Sequence, residues 1–200
     1  MNTPSRSASP AAPTLMALLK AETRAAHEAT EQAFNLKAVL QSKDAYAHLL
    51  QRLHRFYSVI EPMLATWDWA SLGLDFDARR KLPWLEADLT ALSASPHAEV
   101  IEPLPALSTQ AEALGALYVL EGSTLGGQII TKRVQSELGF SPHSGLRFFS
   151  GYQLKTGVYW HQFVVAANIY GQRNAQGVVL IISGALSTFS ALERYLLHNR

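Results

Sequence analysis

The sequence predicts an all-α domain. Patterns typical of β-strands are scarce, whereas apolar residues recur at helical intervals along most of the chain, and one long apolar segment carries helix-capping signals at both ends. A chain of 200 residues, 48% of them hydrophobic and 16% charged, is long enough to form one domain with a substantial core. No heptad repeat indicates a coiled coil, so we expect a single helical bundle.

Composition excludes several classes of function. The formal net charge of +1 provides no general basic field for nucleic acid. The chain has no cysteine, which excludes disulfides, thiolate metal sites and a cysteine nucleophile and is compatible with a cytoplasmic location. The first residues, "MNTPSRSASPAAPT", lack the apolar segment of a signal peptide. We therefore interpret residues 1–13 as a disordered tail and residues 14–200 as the domain.

The first half of the chain contains three helical segments. Leu15–Phe34 has no Pro or Gly and is rich in Ala, Leu and Glu. Asp44–Trp67 has apolar residues at helical intervals, and Pro62 is expected to bend or end that helix near its last turn. Asp77–Leu92 is the third segment, and a loop with three prolines follows it.

The second half begins with a longer helix. Thr109 and Glu112 form a T-x-x-E capping box, which predicts a helix that starts there and ends near Leu138, with Gly139 as its C-terminal cap. Two further helices are expected over Thr156–Ile169 and Ala175–Leu197. The most apolar run, "GVVLIISGAL", has about half of the ~20 residues that a membrane span needs, so it predicts a buried helix and no membrane anchor.

Three glycines interrupt the apolar pattern of the long helix. Gly122, Gly126 and Gly127 lie within six residues, and each costs roughly 1 kcal/mol relative to alanine in a helix interior. Their spacing places Gly122 and Gly126 on one face, with Gly127 beside them. The bare backbone either forms a shallow trough for a flat ligand or allows another helix to approach closely. A pyrophosphate-binding loop does not fit, because no strand precedes the glycines.

One of the seven histidines has a distinctive environment. In "LLKAETRAAHEATEQAF", Glu31 lies four residues after His27, and Arg24 and Lys20 lie three and seven residues before it. On one helix these side chains share a face, with Lys20 about two turns and ~10 Å from His27 along the axis. A metal-bound histidine usually donates its second N–H to a carboxylate. The alternative is a solvated charged face that includes an incidental histidine.

These two features occur together in one known family. An "ETRAAH" helix followed about a hundred residues later by "LYVLEGSTLGGQ" resembles the heme oxygenase family, especially its bacterial branch associated with bacteriophytochromes. The segments "LPWLEADLTAL", "TGVYWHQF" and "SGALSTFSALERYL" also resemble family segments and follow in the expected order. The resemblance covers most of residues 15–197.

The resemblance implies an all-α fold that holds heme between a proximal N-terminal helix and a kinked, glycine-rich distal helix. His27 matches the proximal iron ligand, and Glu31 matches the carboxylate that hydrogen-bonds it. Ser123 occupies the position of a distal aspartate found in some members; serine can hold water but carries no charge. The resemblance also places Gly122 and Gly126 at the heme face, with the heme-binding position Gly127 following in the same kinked region. It places Tyr118 and Phe189 in the pocket, and Lys20, Arg24 and His161 at positions near the propionates.

Family membership would imply an enzyme that cleaves heme, with O2 and external electrons, to biliverdin, carbon monoxide and ferrous iron. His27, Ser123, Gly122 and Gly126 would then form its catalytic set. The electron donor would be a ferredoxin or a flavin-dependent reductase, for which Lys132 and Arg133 are candidate contacts, and a bacteriophytochrome is a candidate acceptor of biliverdin. Gln153 departs from the family pattern, because a glycine is expected there.

Other functions are compatible with parts of the pattern. A non-catalytic heme carrier or sensor would keep the pocket without turnover, and Ser123 is the residue that most favours it. Thiamin-related hydrolysis on a similar fold normally uses a cysteine nucleophile, which this chain lacks. A di-iron oxidase would need several inward Glu and His residues at metal-ligand spacing, and the sequence does not show that set.

Overall fold

The computed structural model describes residues 13–97, 99–105 and 107–198, and within these ranges the chain is helical and forms no β-strand. All but the last residue of the predicted tail, 1–13, therefore lie outside the described residues. Short 3₁₀ turns occur at Ala70–Leu72, Asp77–Arg79 and Gln153–Lys155. The α-helices are α1 (Leu15–Glu22), α2 (Arg24–Phe34), α3 (Leu36–Val39), α4 (Lys43–Ala65), α5 (Leu82–Ala91), α6 (Gln110–Leu138), α7 (Arg147–Ser150), α8 (Thr156–Arg173) and α9 (Gly177–Leu197).

The prediction of one continuous helix over Leu15–Phe34 is wrong, because a turn at Thr23 separates α1 from α2. Thr23 is buried and has φ −95° and ψ 0°, outside the helical range. Its hydroxyl donates to the carbonyl of Leu19 at 2.7 Å, a local bond that competes with regular helix geometry. Lys20 and His27 consequently lie on different helices. The predicted placement of both side chains on one helix face, about two turns apart, is therefore wrong.

The segment Asp77–Leu92 is also divided. Asp77–Arg79 forms a 3₁₀ turn, and α5 begins only at Leu82, with a proline in its first turn. In α4 the expected effect of Pro62 is confirmed, since the helix ends at Ala65, within one turn of the proline.

The capping prediction for α6 is confirmed. The N–H of Glu112 donates to the Thr109 hydroxyl at 3.2 Å, and Gly139 ends the helix at φ +76° in the left-handed region. Between these caps α6 is one uninterrupted helix, so the expected kink at the glycines does not break it. Gln153 has φ +54°, also in the left-handed region, which agrees with the expectation that this position favours glycine.

The core is organised around α9, which packs on α6, α2 and α4. Where α6 and α9 cross, no side chain fits between them. A Cβ at Gly115 would lie 1.9 Å from the Ile181 carbonyl oxygen, and a Cβ at Gly184 would lie 2.1 Å from the Glu112 carbonyl oxygen. Close helix packing therefore depends on these two glycines.

The apolar run "GVVLIISGAL" lies in a longer helix than its ten residues indicated. α9 has 21 residues and is, by length and composition alone, apolar enough to cross a membrane. A core helix passes the same test, and α9 buries Ile181, Ala185 and Leu192 among the other helices of the bundle. The prediction of a buried helix is met on the face that packs in the bundle, whereas other apolar side chains of α9, such as Val179 and Leu180, are exposed.

The α6–α9 crossing yields a stability prediction. Gly184→Ala should lower the free energy of unfolding by about 2 kcal/mol or more, because its Cβ would overlap a main-chain carbonyl that cannot move alone. Gly157→Ala is the matched control, since Gly157 lies in α8 with no neighbouring atom within 4 Å of the added Cβ. Thermal unfolding measures both variants. Equal melting temperatures for Gly184→Ala and the unmodified chain would contradict the proposed close contact.

Candidate functional site

His27 lies on the exposed side of α2, which packs on α9. Its side chain is 57% exposed, and its ring meets the Phe189 ring of α9 edge-on, with centroids 5.7 Å apart and planes at 81°. Phe189 itself is buried. The contact fixes one edge of the imidazole against the core and leaves the rest of the ring accessible to a ligand.

Glu31 lies one turn after His27, as its spacing predicts. Its Oε1 is 3.8 Å from Nδ1 of His27, which is within ion-pair range but longer than a hydrogen bond, so the expected hydrogen bond is not formed in this conformation. The Glu31 side chain is 69% exposed and can close that distance by rotation. The carboxylate lies nearer Nδ1, and this arrangement favours Nε2 as the ligand atom of His27.

The three motif glycines have different surroundings. A Cβ at Gly126 would meet no atom within 4 Å, and a Cβ at Gly122 would only touch the Trp160 ring at 4.0 Å. A Cβ at Gly127 would lie 2.6 Å from the carbonyl oxygen of Phe149. Packing against α7 therefore explains Gly127, whereas packing does not explain Gly126. Of the two interpretations that the sequence left open, close packing applies at Gly127, and the open backbone at Gly126 is compatible with the trough.

Ser123 lies between these glycines and is exposed. Its hydroxyl donates to the Leu120 carbonyl at 2.8 Å, which leaves its oxygen free to accept from the Tyr57 hydroxyl at 3.4 Å. Burial raises the pKa of Tyr57; the Ser123 hydrogen bond lowers it, and the carboxylates of Glu61 and Glu121 raise it further. Tyr57 therefore stays protonated and remains a hydrogen-bond donor.

The sequence offered no signal for this role of Tyr57. It appears there only as one apolar position of a helical repeat, and its partner lies 66 residues later. Only the packing of α4 beside α6 brings the two hydroxyl groups together.

Aromatic residues stand beside the glycine segment. The Tyr118 ring, one turn before Gly122, lies 6.1 Å from the Trp160 ring and 6.4 Å from the Phe163 ring of α8. Tyr118 and Trp160 are partly buried, so this group forms an apolar wall on the α8 side of Gly122.

The predicted basic residues are spread over three helices. Lys20 of α1, Arg24 of α2 and His161 of α8 are exposed. Among the described residues, the charged side chain within ion-pair range of His27 is Glu31, on the same helix. Lys132 is exposed, whereas Arg133 pairs with Glu137 at 2.8 Å on the next turn of α6.

The described residues fit a heme better than a metal centre made by side chains alone. Over those residues, no group of three or more His, Asp or Glu side chains could hold a metal ion. A single accessible imidazole suits a metal whose remaining ligands come from a porphyrin. The open backbone at Gly126 and the apolar wall suit a flat ring.

A distinct cavity lies away from these residues. A cavity of about 520 Å³ is found among the C-terminal ends of α2 and α9, the helix α3 and one face of α4. His27 and the glycine segment do not line it, whereas Phe34, His48 and His198 do. His27 and the glycine segment therefore lie outside this cavity.

Comparison with known proteins gives matches to one family. The heme oxygenase family model matches residues 13–197. A curated heme oxygenase from Xanthomonas campestris pv. campestris (strain 8004) is 39% identical over 92 residues, which are 46% of this chain and 54% of that protein. The chain thus spans about half the length of the curated relative it matches.

Solved structures show the same fold. The heme oxygenase of Neisseria meningitidis, solved in its NO- and CO-bound forms, superposes with a TM-score of 0.82 at 23% identity and covers 92% of this chain and 91% of that one. Heme oxygenase 2 of Chlamydomonas reinhardtii, solved without heme, superposes with a TM-score of 0.73 at 15% identity and covers 92% and 96%. With a family model that matches nearly the whole chain, the resemblance first seen in the two motifs is confirmed, and this chain belongs to the heme oxygenase family.

Proposed function

We propose that this chain is a heme oxygenase that converts heme, O2 and electrons from a donor protein into biliverdin, carbon monoxide and ferrous iron. The observation that carries the proposal is the accessible His27 imidazole, backed by Phe189, in a chain whose α6 presents open backbone at Gly126. Family membership supports the reaction class.

His27 would hold the heme iron through Nε2, and Glu31 would orient the ring by accepting a hydrogen bond from Nδ1. The exposed side chains of Lys20, Arg24 and His161 are candidates to pair with the anionic propionates. The aromatic wall that includes Tyr118 would exclude water from one side of the ring.

When bound, heme supplies both the iron that activates O2 and the porphyrin ring that is oxidised. The chain contributes shape and protons. At Gly126 the bare backbone allows the ring to approach α6 closely. The Tyr57 hydroxyl donates to Ser123, so the two form a short path that can hold a proton at the Ser123 oxygen and orient water there. Because burial keeps Tyr57 protonated, this path does not depend on a carboxylate at position 123.

The partners follow from this chemistry. A ferredoxin or a flavin-dependent reductase would supply the electrons, and Lys132 is the better candidate contact because Arg133 is already paired with Glu137. We further propose a cytoplasmic location and membership of the branch that supplies biliverdin to a bacteriophytochrome. The motifs "ETRAAH" and "LEGSTLGGQ" support that branch.

A heme carrier or sensor is the second candidate, favoured by the uncharged, exposed Ser123. Reconstitution with hemin, a reductase system and O2 distinguishes the two functions. An enzyme converts the Soret absorbance to that of biliverdin and releases CO, whereas a carrier retains the heme spectrum. Chromatography of the product identifies the biliverdin isomer.

His27→Ala should abolish the spectrum of histidine-ligated heme. It should also lower the rate of biliverdin formation at least about 100-fold. Loss of a residue that only hydrogen-bonds a metal ligand lowers activity by up to about 100-fold, and loss of the ligand itself should cost at least as much. His48→Ala is the matched control, because His48 is also exposed on a helix but bonds Gln51 and lines the separate cavity. An unchanged heme spectrum and full biliverdin yield in His27→Ala would refute the assignment.

Gly126→Ala should have opposite effects on stability and on heme binding. Its Cβ meets no atom, so the free energy of unfolding of the ligand-free chain should rise by about 1 kcal/mol through helix propensity. Heme affinity should fall, and Gly126→Leu should reduce it further or change the biliverdin isomer. Calorimetry and absorbance titration measure the two effects, with Gly157→Ala as a control that affects stability alone. Normal affinity and the same isomer in Gly126→Leu would show that the ring does not approach this backbone.

Tyr57→Phe should slow biliverdin formation by about tenfold or more, because it removes the donor to Ser123. Heme affinity should stay unchanged, since the ring of Tyr57 is buried and is retained in Tyr57→Phe. Ser123→Ala should give a similar loss, and the double variant should be no worse than either single variant. Fully additive losses would indicate that the two hydroxyl groups act independently.

A further inference from the structure

Glu121, the residue immediately before Gly122 on α6, is a carboxylate with no exposed surface. Its Oε2 accepts a hydrogen bond from Arg79 at 2.6 Å. Its Oε1 accepts from the Lys81 ammonium at 2.8 Å and from the Tyr152 hydroxyl at 2.7 Å. Arg79 and Lys81 are buried as well. These four residues, Glu121, Arg79, Lys81 and Tyr152, are called the Glu121 cluster below.

The donors in the cluster are themselves held in place. Arg79 donates to the Tyr159 carbonyl and to the Gln162 side chain of α8, both at 3.2 Å. The main-chain N–H of Lys81 donates to Glu61 of α4. The cluster therefore connects the middle of α6 to α4 and α8 through hydrogen bonds of defined direction.

Stability alone does not account for these charges. Removing an ion pair from water costs several kcal/mol per ion, and well-packed apolar residues of similar volume are often equally stable or more so. Hydrogen bonds differ from apolar contacts because they fix direction. The hydrogen bonds of the cluster therefore define the rotation of α6 about its axis and its position along that axis.

The glycine segment is packed on one side only. Gly127 packs on α7, whereas on the face around Gly126 the side chains of Ser123 and Leu125 are exposed and provide little restraint of their own. A shift of one position turns an α-helix by about 100°. That turn would present Leu125 or the side chain of Gln128 where the bare backbone now lies.

We infer that Glu121 is a positioning residue for the reaction, whose bonds to Arg79, Lys81 and Tyr152 fix the orientation of the Gly122–Gly126 backbone and the Ser123 hydroxyl toward the heme. This inference rests on the proposed function. The cluster also lies close to the Tyr57–Ser123 pair, because the Glu121 carboxylate is one of the charges that raise the pKa of Tyr57.

Glu121→Asp tests the inference while keeping the charge. The side chain is shorter by one methylene, so it cannot keep all three bonds unless the helix shifts, yet neither Arg79 nor Lys81 is left without a carboxylate. Tyr152→Phe is the second variant: it removes the hydroxyl that donates to Glu121 and accepts from Lys81, while both ion pairs remain. Glu137→Gln is the matched control, since Glu137 is an arginine-paired glutamate on the same helix but is exposed.

Two measurements distinguish positioning from simple stabilisation. In the ligand-free chain, amide hydrogen exchange over residues 122–128 should become at least about tenfold faster in Glu121→Asp, while core amides of α9 change little. In the ferrous CO complex of the heme-loaded chain, the CO stretching band should shift or split. Tyr152→Phe should change the exchange rate and the CO stretching band in the same direction but by a smaller amount. Glu137→Gln should change neither quantity.

Exchange that stays unchanged, or that rises equally in α4, α6 and α9, would overturn the inference. If Glu121→Asp does not fold, the inference is tested with Tyr152→Phe, in which exchange over residues 122–128 must again rise more than exchange in α4 and α9. The exchange experiment needs no heme turnover, whereas the proposed function is tested by biliverdin formation in the unmodified chain. Failure of the positioning inference is therefore distinguishable from failure of the proposed function.

Discussion

The backbone contact between α6 and α9 is the constraint on which the rest of the structure depends. Gly115 and Gly184 have no space for even a methyl group, so the two helices meet main chain to main chain. α9 also packs on α2 and places Phe189 against the edge of His27. His27 and the glycine segment therefore lie on two helices that both pack on α9. A change in the α6–α9 distance would move the glycine segment relative to His27, and the proposed function depends on the relative position of those two features.

Glycine serves two physical purposes on α6. At Gly115 and Gly127 the missing side chain permits close approach of another part of the backbone, and the packing gained there offsets the low helix propensity. At Gly126 the missing side chain faces open space, so among the described residues packing does not account for this glycine. Its low helix propensity is compatible with the proposed close approach of a flat ligand. The spacing of the motif alone could not separate Gly126 from Gly127, because the difference lies in α7, which packs on only one of them.

Much of the fold could be predicted from local sequence signals. Thr109 and Glu112 determined the start of α6, and Gly139 determined its end, because capping involves only neighbouring residues. The turn at Thr23 was not predictable, since a threonine hydroxyl can bond the preceding turn without ending a helix. Tyr57 and Glu121 were missed for a different reason. Each has partners far away in the chain, and neither helical periodicity nor motif spacing carries information about those contacts.

The Glu121 cluster has a consequence for how such a chain can diverge. Arg79 and Lys81 share one carboxylate in a region without solvent, so loss of Glu121 alone strands two buried cations, and loss of either cation alone weakens the neutralisation of the acid. Single substitutions along any path away from this arrangement pass through an unfavourable intermediate. The three positions are therefore expected to evolve as a unit: a descendant retains the charged set or exchanges it jointly for apolar residues, and mixed combinations should be rare in a lineage.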